Sequence, residues 1–195
     1  MIKVFNMSNN NENYAIVIEL SGEMLDNAKK AQSLMSNNYG VEFISKTSPC
    51  PHITLESGLN INDLDIFTKA IKKSSLKLKT FSLCAQGLGV FLAETPVIHI
   101  RWLNNNSLLK LKSNIADLVN NFLLTGVITK YSNDLNWAPK STLAFSDTTN
   151  EGLSELVKLI NNIDFNKCIF VSNISIYKYS LGSDETNIAT FPFKN

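Results

Sequence analysis

A five-residue phrase that could carry acid–base chemistry occurs twice in the chain. It reads Pro-His-Ile-Thr-Leu at residues 51–55 and Pro-Lys-Ser-Thr-Leu at residues 139–143, so that proline, threonine and leucine recur in register. The first copy carries His52, whose imidazole can take up or release a proton near neutral pH. The second copy carries Lys140 at the matching position, and a protonated lysine can bind phosphate. The two copies therefore differ at the position where proton transfer is expected.

The spacing within each copy places two polar side chains on one face of a strand. Residues two positions apart share a face, so His52 points with Thr54, and Lys140 points with Thr142. Phosphodiester cleavage needs one proton removed from the attacking oxygen and another delivered to the leaving oxygen. Two such faces turned toward each other would form a phosphate-handling site. The threonine hydroxyls would hold the non-bridging oxygens, and no metal would be needed.

The composition is that of a globular protein and excludes several functional classes. The 195 residues are 44% hydrophobic and carry 18 basic and 17 acidic side chains, for a formal net charge of +1. This balance argues against a protein that coats DNA or RNA by bulk charge, whereas a small nucleotide or an RNA end needs only a local pocket. No apolar run reaches the roughly 20 residues that span a bilayer, so we expect no membrane partner.

The cysteine and histidine content bears on redox state and metal binding. Cys50, Cys84 and Cys168 are far apart and form no C-x-x-C pair. We therefore expect all three to be reduced and structural, in a cytoplasmic protein. With only two histidines in the chain, we expect neither a dedicated zinc site nor another cofactor.

The apolar periodicity predicts strands that alternate with helices, and predicted hairpins interrupt this alternation. We expect residues 1–13 to form a flexible N-terminal segment and residues 14–195 to form a single bilobal domain. The two motif copies lie nearly half a chain length apart, and each is followed by a predicted helix. The pattern predicts an α+β fold with two similar lobes, whose antiparallel-rich sheets face each other.

Individual residues predict where elements begin and end. Asp63 and Asn150 are expected to cap helices, and Gly126 is expected to end a long helix that begins near residue 105. Residues 169–180 read as one long final strand. Residues 188–193 read as a short edge strand after it.

The two phrases and their flanking residues resemble the signature strands of the two-histidine phosphoesterase superfamily. The most similar branch contains the 2'-5' RNA ligase-like proteins and cyclic phosphodiesterases, whose second signature commonly reads W-x-P-H-x-T-L-A. Lys140 stands where the second catalytic histidine belongs, and residues 87–91 look like the family's G-x-G-V-F segment. Five residues match the second signature: Trp137, Pro139, Thr142, Leu143 and Ala144.

The resemblance covers most of the chain and implies a fold and an activity. The implied fold is a bilobal α+β monomer with a central cleft and helices on the outside. The implied activity is the opening of 2',3'-cyclic or 2'-5' phosphodiester bonds in RNA ends or small nucleotides. His52, Thr54 and Thr142 carry over as catalytic residues, and Lys140 carries over by position only, as a phosphate-binding cation.

Lysine at the second position leaves three interpretations open. A lysine with its reference pKa near 10.4 stays protonated at pH 7 unless desolvation or nearby cations lower that pKa. Losing one acid–base partner typically costs about 10²–10⁴-fold in rate. The chain is then a phosphodiesterase of reduced or altered activity, a degenerate protein that binds a nucleotide or RNA end, or a retained fold whose cleft serves a protein partner or no detectable function.

Further side chains are candidates for substrate binding. Arg101 lies on a predicted strand and could grip a phosphate through two hydrogen bonds. Tyr177 and Phe91 could stack on a base, or they could pack against a helix. His99 shares the face of Arg101, and we expect it to face solvent. Glu56 is expected to continue the polar face of the first motif.

Overall fold

The computed structural model of the protein describes residues 13–122, 137–179 and 184–194. Within these ranges, eight strands form two four-stranded antiparallel sheets, and five helices pack around them. The predicted α+β architecture with two lobes is confirmed. Hydrophobic side chains from both sheets and from the helices form one continuous core.

The first sheet has the strand order β2-β1-β7-β8. Its central strand β1 is buried along nearly its whole length, as expected for a strand covered on both faces. The four strands are β1 (Asn13–Glu19), β2 (His52–Leu59), β7 (Asn173–Tyr179) and β8 (Thr186–Pro192).

The second sheet has the strand order β5-β4-β3-β6. Its strands are β3 (Phe81–Phe91), β4 (Val97–Trp102), β5 (Lys140–Ala144) and β6 (Cys168–Val171). The helices are α1 (Gly22–Tyr39), α2 (Phe43–Thr47), α3 (Leu64–Ser75), α4 (Asn106–Asn120) and α5 (Leu153–Ile160). The short helix α2 was not predicted, because five residues show too little periodicity to identify a helix.

The single strand predicted over residues 169–180 is wrong as one element. It is two strands, β6 and β7, which are separated by Ser172 and belong to different sheets. The carbonyl of Ser172 accepts a hydrogen bond from Phe193 N at 2.8 Å, at the point where the chain changes sheet. Apolar and β-branched residues continue through this crossing, so the pattern alone could not locate it. The predicted end at residue 180 lies outside the described residues.

The predicted element ends have mixed outcomes. Asp63 caps α3 as expected, since its carboxylate accepts a hydrogen bond from Ile66 N. Asn150 does not cap α5, which has Gly152 at its N-cap, and the Asn150 amide instead donates to Ala93 O. The short edge strand near residues 188–193 is confirmed as β8. The long helix expected to end at Gly126 ends earlier, at Asn120 with Asn121 as its C-cap, and Gly126 itself lies outside the described residues.

The expectation that all three cysteines are reduced is wrong for two of them. Cys84 and Cys168 lie directly opposite each other on the antiparallel strands β3 and β6 and form a disulfide, whereas Cys50 is free. The two cysteines are 84 positions apart in the sequence, and no sequence pattern indicates that they pair. The cysteines therefore no longer argue for a reducing compartment, and the cytoplasmic location stays a prediction.

Both motif strands turn their apolar residues inward, as their alternation predicts. Ile53, Leu55 and Leu143 are buried in the core. Ser141 is also buried there, and its hydroxyl accepts a hydrogen bond from Trp102 Nε1 at 2.9 Å. The opposite face of each strand is thereby left to the polar pair.

A buried ion pair joins α4 to the first motif strand. Lys112 of α4 donates to the Glu56 carboxylate, and both side chains are almost completely buried. A register shift between β1 and β2 puts Glu56 opposite the buried Ile16. Glu56 therefore does not continue an open polar face, contrary to the expectation from strand alternation.

No helix in the described part of the chain is long and apolar enough to cross a membrane.

Removing only the cation of the buried Lys112–Glu56 ion pair should destabilise the protein strongly. Lys112→Met leaves the Glu56 carboxylate buried without its ammonium, and breaking a buried pair in this way typically costs about 3–5 kcal/mol. The double variant Glu56→Gln/Lys112→Met removes both charges and should recover much of the loss. Urea unfolding of each variant measures the effect. Lys110→Met, at an exposed position of the same helix, is the control, and equal losses for Lys110→Met and Lys112→Met would contradict the prediction.

Candidate functional site

His52 begins β2 and is held in one orientation by the chain just before it. Its Nδ1 lies 2.9 Å from the carbonyl oxygen of Cys50. Because a carbonyl can only accept, Nδ1 carries the proton, and Nε2 of the neutral ring is left with its lone pair. The half-buried ring therefore presents Nε2 as a proton acceptor.

Tyr177 packs against His52 and does not offer a surface to a ligand. The two rings meet edge to face with centroids 5.1 Å apart, and Tyr177 is 0% exposed. The Tyr177 hydroxyl donates to Glu19 Oε1 at 2.7 Å, and Asn187 Nδ2 donates to the same oxygen at 2.8 Å. Tyr177 therefore does not stack on a base, contrary to one of the two expectations from the sequence, and its buried ring supports the histidine instead.

Opposing influences act on the pKa of His52. Burial has the largest effect and lowers the pKa below its ordinary value of 6.5. The Glu185 carboxylate raises the pKa, and the Lys140 ammonium lowers it further. The net result is a lowered pKa, so the ring is neutral at pH 7. The influence of Lys140 also indicates that the two motif copies lie near each other in space.

Three of the four motif side chains line one cleft of about 710 Å³: Thr54, Lys140 and Thr142. Lys140 Nζ donates to Thr142 Oγ1 at 2.8 Å, which leaves the Thr142 hydroxyl hydrogen available to a ligand. Burial lowers the pKa of Lys140 below its ordinary value of 10.5. His52 is not among the residues of the cleft wall and lies two positions along β2 from Thr54.

Trp137 connects the two motif strands. Trp137 lies in the segment that leads into β5, and its Nε1 donates to the carbonyl oxygen of Thr54 in β2 at 3.1 Å. The Lys112 ammonium lies 5.7 Å from the centroid of the Trp137 ring, within the range of a cation–π contact. The first motif strand is therefore tied to the second copy of the phrase at the level of Thr54.

Aromatic side chains form the outer part of the cleft wall. Phe91 is 42% exposed and lines the cleft together with Phe145, which is 41% exposed. Regular strand alternation would place Phe145 in the core with Leu143, but β5 ends at Ala144 and Ser146 adopts a positive φ of 76°. The chain therefore turns at Phe145, and its ring rests edge to face on Phe43.

His99 is buried, contrary to the expectation that it faces solvent. Its ring stacks on Phe91 with centroids 4.3 Å apart, so Phe91 covers it. Its Nε2 lies over Gly89, where an added Cβ would come within 2.4 Å of this atom. Burial lowers the pKa of His99. His99 thus lies on the cleft side of the sheet, under the Phe91 ring and not in the cleft wall.

Arg101 is exposed and lies directly opposite Lys140 in the ladder between β4 and β5. Its Nη2 donates to Gln86 Oε1 at 2.8 Å. The structure thus brings His52, Thr54, Lys140 and Thr142 into one region and places Arg101 and Phe91 at its margins.

Within the described residues, no group of three or more histidine, cysteine, aspartate or glutamate side chains could hold a metal ion.

Two carboxylates near His52 were missed by sequence reasoning. Glu19 lies opposite His52 in the pairing of β1 with β2. Glu185 lies far along the chain, and its backbone N–H donates to Thr47 O at 2.7 Å. One Glu185 carboxylate oxygen is buried with no hydrogen-bond partner among the described residues. No spacing signal links single glutamates to a distant histidine, so only the register of β1 with β2 places Glu19, and only the tertiary fold places Glu185.

The fold is shared with several solved structures, although the sequences are distant. TT0787 of Thermus thermophilus aligns with a TM-score of 0.64 at 16% identity, over 94% of this chain and 98% of that one. Escherichia coli LigT complexed with 3'-AMP aligns at 0.58 and 12% identity, over 95% and 99% of the two chains. Kluyveromyces marxianus Usb1 aligns at 0.51 and 12% identity, over 94% and 98%.

Other structures of LigT that share the fold are complexes with ATP and with NADP+, each with a TM-score of 0.56. Neither a protein-family model nor a curated protein matches the chain. The comparisons therefore establish the fold.

Removing the negative charge of Glu185 should lower the pKa of His52 further. The Glu185 carboxylate raises this pKa, so Glu185→Gln removes a stabilising influence on the charged ring. NMR titration of the two histidine rings, with the His52 signal assigned through His52→Gln, measures the shift. Asp184→Asn removes one negative charge from the exposed residue next to Glu185 and serves as the control. An unchanged or raised His52 pKa in Glu185→Gln would contradict the assignment.

Proposed function

We propose that this chain is a member of the two-histidine phosphoesterase superfamily that acts on a 2',3'-cyclic phosphate or a 2'-5' phosphodiester in RNA ends or small nucleotides. His52 serves as the general acid–base group, and Lys140 takes the position of the second histidine. The reaction uses no metal.

One observation carries this proposal. Thr54 from the first phrase and Lys140 and Thr142 from the second line the same cleft, and the Lys140 ammonium influences the pKa of His52. An ammonium and two hydroxyls around one space are donors suited to phosphate oxygens. A proton acceptor beside them supplies the chemistry that phosphate binding alone would not need.

The protonation states assign the roles of the two groups. His52 is neutral at pH 7 with its proton on Nδ1, so Nε2 takes a proton from the water that attacks phosphorus. Lys140 is protonated and, with its pKa lowered by burial, is a stronger acid than an exposed lysine. As the phosphorus–oxygen bond breaks, Lys140 gives a proton to the leaving 2' or 3' oxygen. Exchange with solvent then restores both groups.

The threonines hold the phosphate during this exchange. Thr142 accepts from Lys140 and so directs its own hydrogen toward the ligand. Thr54 lines the cleft from the other sheet, and its backbone is fixed by Trp137. Two hydroxyls on opposite walls can donate to the two non-bridging oxygens, where negative charge is concentrated.

The neighbours in fold agree with a nucleotide ligand. LigT is described in complexes with 3'-AMP, ATP and NADP+, all of which are nucleotides. The cleft volume of about 710 Å³ lies within the ordinary range for small-molecule sites. The exposed Phe91 and Phe145 rings on its wall are surfaces on which a base could stack.

A second function is supported by a different feature of the same site. Lys140 is held by Thr142 and cannot exchange acid and base roles as a histidine does. A cleft with one fixed cation is also suited to holding a nucleotide or RNA end without cutting it. The assay that follows separates the two functions, because binding without turnover supports only the second.

Wild-type protein should open 2',3'-cyclic nucleotides or 2'-5' linked oligomers, and His52→Ala should abolish most of this activity. Loss of the general base is expected to lower kcat/KM by about 10²–10⁴-fold. Lys140→Met should also lose activity, whereas Lys77→Met, at an exposed lysine, should not. Product release is followed by chromatography, and thermal unfolding verifies that each variant is folded. Saturable binding without turnover in the wild type would replace this proposal by the binding function.

The pH dependence of kcat/KM should be bell-shaped. Activity needs neutral His52, so it should rise with pH through a pKa below 6.5. It also needs protonated Lys140, so it should fall at high pH through a pKa below 10.5. Lys140→Arg tests the second assignment, because arginine does not lose its proton in this range. The alkaline fall should disappear in whatever activity this variant retains, and its persistence would show that another group is responsible.

A further inference from the structure

The single arginine of the chain has no part in the reaction described above, although it lies beside the reacting groups. Of the 18 basic side chains, Arg101 alone is an arginine. It lies on β4 directly opposite Lys140 on β5. Directly opposite residues of antiparallel strands share a face and have Cα atoms about 4.5–5.5 Å apart. Arg101 and Lys140 therefore project from the same face of the second sheet.

This pair of cations has no neutralising partner in the described part of the chain. Like charges directly opposite each other destabilise a sheet. Other lysines have carboxylate partners, including Lys112 and Lys167. The ion pairs within residues 13–122, 137–179 and 184–194 include neither Arg101 nor Lys140. Two adjacent cations without a carboxylate are an arrangement that anions stabilise.

The guanidinium of Arg101 is exposed but oriented. Gln86 on the neighbouring strand β3 accepts from Nη2 through its side-chain oxygen at 2.8 Å and from Nε through its carbonyl at 3.4 Å. These bonds use two of the five N–H donors of the guanidinium. The remaining donors can form the paired hydrogen bonds by which arginine recognises a phosphate.

We propose that Arg101 binds a second phosphate, one nucleotide away from the phosphate held at Lys140. The preferred ligand of this protein is then the end of an oligonucleotide with at least two phosphates, and a mononucleotide binds more weakly. This inference rests on the proposed function, since it extends the same site.

The position of Arg101 relative to the cleft supports this ligand size. Lys140 lines the cleft of about 710 Å³, whereas Arg101 is absent from its lining residues. A mononucleotide that fills the cleft would leave Arg101 uncontacted. A ligand that continues along the sheet face from Lys140 toward β3 would pass over it.

Two ligands that differ by one phosphate test the subsite. The first is a 2',3'-cyclic mononucleotide with a free 5'-hydroxyl. The second is a dinucleotide that ends in the same cyclic phosphate and has one internal phosphate. Dissociation constants are measured in the His52→Ala background, so that neither ligand is consumed, at several salt concentrations.

The dinucleotide should bind about tenfold more tightly than the mononucleotide, as expected for one additional charge-assisted contact. Arg101→Gln should remove most of this advantage. It should also reduce the salt slope for the dinucleotide, which is the steepness with which the logarithm of affinity falls with the logarithm of salt concentration, by about 0.7, the value for one phosphate contact on a single strand. Arg101→Lys should keep the salt slope but lose part of the advantage, because lysine cannot form the paired bonds. Lys73→Gln removes the same charge from the exposed face of α3 and should preserve the advantage.

The outcomes separate this inference from the proposed function. Equal affinity for the two ligands, or a dinucleotide advantage that survives Arg101→Gln with its salt slope unchanged, overturns the second phosphate site alone. Absence of binding and of turnover with both ligands in the wild type overturns the proposed function and this inference together.

Discussion

The hydrogen bond from Trp137 Nε1 to the carbonyl of Thr54 is the contact on which the site geometry depends. The two motif strands belong to different sheets, so no ladder hydrogen bond sets the distance between them. Trp137 supplies that link at the level of the threonine that faces the cleft. Beneath it, the Lys112 ammonium contacts both the Trp137 ring and the Glu56 carboxylate, in a region where the two charges have little access to water. A rigid contact of this kind is what a site needs if acid and base are to meet one phosphate.

The charges around the cleft are divided between its two sides. Glu19 of the first sheet and Glu185, which directly precedes β8, lie near His52, whereas the second sheet places Lys140 and Arg101 on one face. This division has a direct electrostatic consequence. The carboxylates offset part of the desolvation that disfavours the imidazolium, which in the proposed reaction helps His52 to hold a proton taken from water. The cations are left to an anionic ligand.

The elements that carry the site can be predicted from the sequence better than their surroundings can. Strand alternation correctly turned Ile53, Leu55 and Leu143 inward, because the core requires apolar side chains at that spacing. It failed where local geometry departs from a regular strand, as at Glu56, where the register shifts, and at Phe145, where the chain turns. It also could not find Glu185 or the Cys84–Cys168 disulfide, since contacts between distant segments depend on sheet topology, which periodicity does not encode. The change of sheet at Ser172 was hidden for the same reason.

In the proposed reaction, lysine at the position of the family's second histidine alters the chemistry without removing it. Two histidines can exchange the roles of base and acid, because their pKa values lie close to neutral pH in either state. Lys140 is less suited to this exchange, since the ordinary pKa of a lysine lies well above that of an imidazole, although burial lowers it. The proposed reaction is therefore asymmetric: its base comes from β2 and its acid from β5, and it does not run with the opposite assignment. A strained cyclic phosphate, whose leaving oxygen needs little assistance, is the kind of substrate that tolerates a weak acid in this position.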